Sequence, residues 1–313
     1  MTVKAQFPSE QTNDGSFARQ PDAFEQWVKA DGSTEYPPEP GRYHLYVSLA
    51  CPWAHRTIIV RKLKGLERAI GMTIVDPIRD ERGWRFDPSR PDPLNGWAFL
   101  SEAYFATDPG FRDRVTVPVL WDSRERRIVS NNDDHIMRMF ETEFDSVAAN
   151  PALDLYPSGL RAEIDALNGH LYATFNNGVY QAGFATSQTA YERAARRVFE
   201  TLDEMEARLA GQRYLFGPQP VESDWRFFVT LVRFDPVYYG HFKCNLRRIV
   251  DYPNLYGYLR DLYQIDGVAG TVDFDHIKRH YYITHDDINP TGIVPIGPLQ
   301  DLNAPHNRAA PSA

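Results

Sequence analysis

The chain has 313 residues, a formal net charge of −8 and 42% hydrophobic residues, enough length and apolar content for two ordinary domains with real cores. The acidic balance excludes a general nucleic-acid footprint, no run of about 18 apolar residues marks a membrane span, and two cysteines make no disulfide framework. Met1 to Pro8 lacks the apolar core of a signal peptide, so a reducing, cytoplasmic setting is expected, with no membrane and no nucleic acid among the partners.

Residues 1–40 are polar and proline-rich, ending in Tyr36-Pro37-Pro38-Glu39-Pro40, and read as an N-terminal extension or arm rather than a folded unit. From Gly41 the pattern becomes strand, helix, strand. Arg42 to Ala50 reads as a strand, Ala54 to Leu63 as a helix, and Cys51-Pro52-Trp53-Ala54 falls at their junction. A helix N-terminus carries unpaired backbone N–H groups and the positive end of the helix dipole. A cysteine there has its thiolate favoured and its pKa lowered, and the thiolate is the reactive form. Pro52 suits the first helical turn, where its missing N–H costs nothing. A lone cysteine is ordinarily a small buried hydrophobe; the strand, the Cys-Pro pair and the helix together point instead to a thiol-transfer site. The fourth residue of the run is Ala54, not a second cysteine, so a mixed disulfide on Cys51 needs an external thiol to resolve it.

Met72 to Val75 reads as a second strand. The long irregular stretch from Asp80 to Gly110, with Gly96-Trp97 inside it, is a functional or family-specific insertion by its length. Val115 to Asp122 reads as a strand with Arg127 to Val129 as its hairpin partner, and Ser130-Asn131-Asn132-Asp133-Asp134 offers N-caps for a helix through Phe140. After Pro151 the character is helical: Arg161 to Phe175; Ser187 to Leu209, where Tyr191, Ala195, Val198, Leu202, Met205 and Leu209 form one apolar face; Asp224 to Phe234, stopped by Pro236; and Pro253 to Tyr263. The fold class is therefore an α/β thioredoxin-like N-terminal domain over 41–145 and an all-α C-terminal domain over 150–288, followed by a tail over 289–313.

Six runs carry a family resemblance: Leu49 to Arg56, Val115 to Asp122, Asn176 to Tyr180, Arg233 to Tyr238, His241 to Asn245 and His276 to Tyr282. On these the chain resembles the glutathionyl-hydroquinone reductases, the Xi class of glutathione transferases, over about residues 41–297. The resemblance implies the glutathione transferase architecture, glutathione as co-substrate, no metal, and a homodimer. It implies that Cys51 attacks the sulfur of a glutathionyl-hydroquinone, releases the hydroquinone, and is freed by a second glutathione. Physically this is thiol exchange extended to a carbon leaving group, and the leaving ring carbon needs a proton, so a nearby phenol or other acid is useful.

The same resemblance assigns further residues. Pro118 is expected to follow a cis bond, so that Val117 turns its backbone toward the cysteinyl part of glutathione. Trp97 resembles the tryptophan that packs over glutathione, and Arg114 a residue near the carboxylate end of the tripeptide, where a planar guanidinium suits a carboxylate. Tyr180, Tyr281 and Tyr282 are the candidates for the hydroquinone pocket; which of Tyr281 and Tyr282 points inward is open. By composition alone each of these is an ordinary core or surface side chain.

The chain departs from the family pattern at Asn132-Asp133, where Ser-Asn-Glu-Ser usually places a Glu-Ser pair on the γ-glutamyl end of glutathione. Asn132 is neutral, and Asp133 brings a negative charge to the position expected to face the ligand carboxylate, or binds its ammonium in a shifted geometry. Gln181 stands where a lysine is common. Two other enzymatic or binding readings share the scaffold: a general monothiol thioltransferase or dehydroascorbate reductase, and a non-catalytic interaction module. A zinc site from His276, His280, His285, His241 and Cys244 lacks a compact ligand motif, and Cys244 reads as structural.

Overall fold

A computed structural model describes residues 6–308. Residues 1–5 and 309–313, the outer ends of the expected extension and tail, lie outside the described residues. The chain divides into two units. The sheet unit contains Pro21–Asp154 and Gly270–His280, and the helical unit contains Leu155–Ala269 with the described residues of 6–20 and 281–308.

The sheet unit is built on four strands in the order β2-β1-β3-β4. Strand β1 (Tyr43–Val47) pairs in parallel with β2 (Ile70–Ile74) and antiparallel with β3 (Val119–Asp122), and β3 pairs antiparallel with β4 (Arg127–Ser130). Every residue of β1 is buried, as expected for a central strand covered on both faces. Strand β1 stops at Val47, short of the Ala50 expected from the sequence, and a turn closed by the Cys51 N–H on the Ser48 carbonyl at 3.2 Å leads into helix α1 (Pro52–Leu63), which packs beside α3 (Asp133–Thr142). The β-α-β, β-β-α order is that of the thioredoxin fold, as the sequence indicated.

Two parts of this unit differ from the sequence expectation. Residues 21–40 are not a loose arm. The Gln26 N–H donates to the Val129 carbonyl at 2.9 Å, and the Asn131 Oδ1 accepts from the N–H groups of Ala23 and Phe24 at 3.1 and 2.8 Å. Val28 and Tyr36 are buried. The segment doubles back in a turn closed by the Lys29 N–H on the Tyr36 carbonyl at 2.9 Å, with Gly32 at positive φ, and its Phe24 ring packs on Tyr104 and Phe111. The stretch from 80 to 110 is also not wholly irregular: it holds α2 (Ser101–Thr107), whose first turn is closed by the Glu102 carboxylate accepting from Ala98 and Phe99 N–H groups at 2.8 and 3.0 Å.

The helical unit runs through α4 (Arg161–Leu171), a wide π turn (Tyr172–Asn176), α5 (Gly178–Gly183), α6 (Gln188–Ala210), α7 (Glu222–Arg233), a second π turn (Phe234–Tyr238) and α8 (Pro253–Tyr263). The Ser187 hydroxyl caps α6. Pro236 does not stop the chain's helical course; the widened turn after α7 accommodates it, closed by the Tyr239 N–H on the Phe234 carbonyl at 2.8 Å. The entry to α7 is held by buried Asp224, which accepts from the N–H groups of Val221 and Leu215 and from the Tyr258 hydroxyl at 2.8, 2.9 and 2.7 Å. Helix α9 (Phe274–Thr284) carries residues of both units. Among the described residues no helix is long and apolar enough to cross a membrane.

Candidate active site

Cys51 is the N-cap residue of α1, in extended conformation at φ −79° and ψ 122°. Its carbonyl accepts the His55 N–H at 3.0 Å, and Pro52 occupies the first helical position. The thiol thus stands at the N-terminal end of α1, the positive end of the helix dipole. The Cys51 side chain is half-buried, and its Sγ donates to the Val117 carbonyl at 3.6 Å. The Val117–Pro118 bond is cis, as expected. Cys51, Val117 and Pro118, far apart in sequence, are therefore brought together.

At the start of α3, Asn132 is the N-cap: its Oδ1 accepts the His135 N–H at 3.1 Å, and its Nδ2 donates to the Glu25 carboxylate at 2.9 Å. Asp133 pairs with Arg56 at 2.8 Å, and Asp134 reaches the same guanidinium at 3.2 Å. The Arg56 side chain is 1% exposed; a charge so far removed from water requires a carboxylate, and α3 supplies two. Glu25 escaped the sequence reading. It is carried there by an antiparallel bridge to Ser130, a pairing across more than a hundred residues for which the sequence holds no local signal.

Trp97 packs edge-on against Trp121 at 5.0 Å and lies 6.3 Å from Tyr46. The loop before it is pinned to the same strand, since the Tyr46 hydroxyl donates to Asp92 at 2.9 Å and accepts from Asn95 at 3.2 Å. Arg114 is half-buried on the segment that leads into Val117–Pro118.

In the helical unit, Tyr180 on α5 and Tyr281 on α9 share a hydrogen bond between their hydroxyls. Tyr238, from the second π turn, joins them, with its hydroxyl 3.1 Å from that of Tyr281 and 3.5 Å from that of Tyr180. All three are buried. Tyr282 points elsewhere, donating to the Pro236 carbonyl at 3.2 Å with its ring on His241. Adjacent residues of a helix project about 100° apart, so only one of the pair can join the cluster, and it is Tyr281. Tyr238 lies at the end of the Arg233 to Tyr238 run, which was its only sequence signal. Burial, and after it the charge of an ionised Tyr180, hold both Tyr238 and Tyr281 well above the ordinary phenol range.

Among the described residues no group of three or more His, Cys, Asp or Glu side chains stands together as a metal site. The His280 Nδ1 lies 2.7 Å from the Pro77 carbonyl, and His241 pairs with His285 at 3.2 Å. Cys244 is fully buried, and burial pushes its thiol up to about 12.

A thioredoxin-like unit with a thiol at its first helix N-terminus and a cis-proline beside it, in one chain with an all-helical unit, defines a cysteine-type glutathione transferase. The family model described as Glutathione S-transferase, N-terminal domain matches residues 50–143, and that described as Glutathione S-transferase, C-terminal domain matches residues 188–261. The chain is 54% identical over 304 residues to glutathionyl-hydroquinone reductase YqjG of Escherichia coli K12, covering 94% of this chain and 92% of the relative. The glutathione-bound structure of that relative has a TM-score of 0.88 and covers 91% of this chain and 96% of its own. Glutathionyl-hydroquinone reductase PcpF of Sphingobium chlorophenolicum is 51% identical, with 84% and 85% covered. The glutathione transferase Xi structure from Phanerochaete chrysosporium is 50% identical at a TM-score of 0.89, with 92% and 95% covered. The chain belongs to the glutathionyl-hydroquinone reductases, the Xi class of the glutathione transferases.

Proposed function

We propose that this protein reduces glutathionyl-hydroquinones to free hydroquinones at the expense of glutathione. The Cys51 thiolate attacks the glutathione sulfur of the thioether; the S–S bond forms, the carbon–sulfur bond breaks, and the ring carbon takes a proton. A second glutathione then attacks the glutathione sulfur of the mixed disulfide, loses its thiol proton, and leaves as oxidised glutathione with Cys51 restored as thiolate. The observation that carries this reading is the half-buried Cys51 at the N-terminus of α1, with the carbonyl of Val117 in reach and no second thiol at Ala54.

In this reading residues 41–145 bind glutathione and residues 150–288 serve the hydroquinone. Val117 and Pro118 meet the cysteinyl part of glutathione, Trp97 packs along it, and Arg114 serves its carboxylate end. Asn132 and Asp133 frame the γ-glutamyl end, and the exposed Glu25 beside Asn132 supplies the carboxylate for its ammonium, since Asp133 is engaged by Arg56. Tyr180 and Tyr281 supply the phenol chemistry; Tyr282 supports them through the Pro236 backbone. A homodimer in the cytoplasm completes the proposal.

The test is intact mass of the reduced protein mixed with a glutathionyl-hydroquinone and no free glutathione. A gain of one glutathione with release of hydroquinone, both lost in Cys51→Ala, is the expected result. Folded protein that gains no adduct and releases nothing overturns it.

A further inference from the structure

The N-terminal segment of the helical unit ends on the phenol cluster. It is tied down by the Gln11 Nε2 donating to the Phe184 carbonyl at 3.1 Å, the Thr186 N–H on the Gly15 carbonyl at 2.9 Å, and an Arg193–Asp14 ion pair at 3.0 Å. Its last charged residue, Arg19, has its guanidinium carbon 4.9 Å from the centroid of the Tyr180 ring. The Arg19 Nε donates to the Asn177 Oδ1 at 3.1 Å. Asn177 stands three residues before Tyr180, so the chain turn that presents the phenol also fixes the cation on its face.

The cluster itself favours one phenolate and no more. With three protons on three mutually close hydroxyls, each oxygen can give one hydrogen bond and take one. Remove one proton from Tyr180, and Tyr281 and Tyr238 can both donate to the bare oxygen as charge-assisted bonds. A cation on the ring face stabilises the same state. Among the described residues, fully buried Arg233 on α7 also acts on the cluster, and the His241 and His285 rings lie against Tyr281. Burial holds His241 at about 4. Arg233 acts on Tyr238 and Tyr281, where burial outweighs it.

We propose that Arg19 is a positioning residue acting through Tyr180: it lies on the ring face and makes Tyr180 the phenol that gives up its proton, with Tyr281 and Tyr238 donating to the oxygen left behind. This rests on the proposed reaction for its purpose. The O–H bond of Tyr180 breaks, the proton goes to the ring carbon of the departing hydroquinone, and the electron pair stays on the tyrosine oxygen. The thiol proton released as the second glutathione attacks restores it, so the cycle balances without a further reagent.

The test needs no turnover. Tyrosinate absorbance is titrated in the full chain for the wild type and Arg19→Met, each with and without Tyr180→Phe, so that each difference isolates Tyr180. Arg19→Met is expected to raise the ionisation of Tyr180 by about one pH unit, and Arg19→Lys to recover roughly half of that shift. The pH profile of kcat for hydroquinone release then moves by the same amount, with KM for glutathione unchanged. Tyr180 ionising at the same pH in Arg19→Met and in wild type overturns the proposal, and so does an Arg19→Lys variant that behaves as Arg19→Met. If the titrations shift as expected but even wild type releases no hydroquinone, the assignment of Arg19 stands and the proposed reaction fails.

Discussion

Arg56 and Asp133 form an ion pair at 2.8 Å in which the arginine is 1% exposed and the aspartate 18%. The negative charge that looked misplaced at the head of α3 is therefore half of a buried structural contact, shared with Asp134 at 3.2 Å. Asp133→Asn leaves Arg56 one carboxylate, and is expected to cost about 1–2 kcal/mol. Removing both, in Asp133→Asn with Asp134→Asn, strands the guanidinium and is expected to cost about 3–5 kcal/mol. Urea unfolding midpoints check both; a double variant as stable as wild type would show that Arg56 is not held by these carboxylates.

Glu25 stands 2.9 Å from the Asn132 side chain and is the carboxylate proposed for the ammonium of glutathione. Losing one charge-assisted hydrogen bond is worth about 1.5 kcal/mol, so Glu25→Gln is expected to raise KM for glutathione roughly tenfold with little change in stability. An unchanged KM removes Glu25 from the binding site.

The two thiols differ in access. Cys51 is half-buried beside Val117, whereas Cys244 is fully buried with its thiol pushed up to about 12. Iodoacetamide at pH 8 is expected to add one label to the native protein and none to Cys51→Ala. Cys244→Ser keeps both the label and hydroquinone release. A label that persists in Cys51→Ala contradicts the assignment of the nucleophile.

Tyr281 joins the phenol cluster and Tyr282 does not. Tyr281→Phe, which removes one hydrogen bond to the Tyr180 oxygen, is expected to slow hydroquinone release by about tenfold, and Tyr282→Phe by only a few-fold. Tyr180→Phe should likewise slow hydroquinone release while sparing exchange with a simple glutathione mixed disulfide, which needs no carbon protonation. Equal loss of both activities in Tyr180→Phe assigns the phenol to binding or folding.

Stability below neutral pH follows from buried titrating groups. Burial holds His44 at about 4 against an ordinary 6.5, and His241 likewise. Above pH 6.5 both are neutral and the stability is complete. As pH falls from 6.5 to 4 the unfolded chain takes up protons that the folded chain refuses, and each histidine removes up to about 3 kcal/mol. Asp224 works in the opposite sense: burial raises its carboxyl from 3.8 to about 6, so acidification through that window returns about 3 kcal/mol. Burial raises the Asp235 carboxyl as well, so the decline carried by the two histidines is partly offset. His44→Gln is expected to flatten the decline of urea midpoints between pH 6.5 and 4.5, and Asp224→Asn to steepen it. A slope unchanged by His44→Gln assigns the acid lability elsewhere.

Read alone, the sequence determined the local framework. The strand before Cys51, proline in the next turn, an N-cap within Ser130 to Asp134, the apolar stripe of Tyr191 to Leu209 and the start of α8 at Pro253 all follow from capping, φ restriction and periodicity, which act within one or two turns of chain. Together with the family resemblance they point to the thiol chemistry of Cys51. Tertiary structure alone decided which charges and hydroxyls meet. It set Arg56 on Asp133, Glu25 beside Asn132, Arg19 over Tyr180, and Tyr281 rather than Tyr282 with Tyr238. It also folded residues 21–40 onto the sheet. These pairings join residues tens to more than a hundred positions apart, and they are selected by the cost of leaving a buried charge or hydroxyl without a partner. That cost depends on burial, which no window of the chain contains.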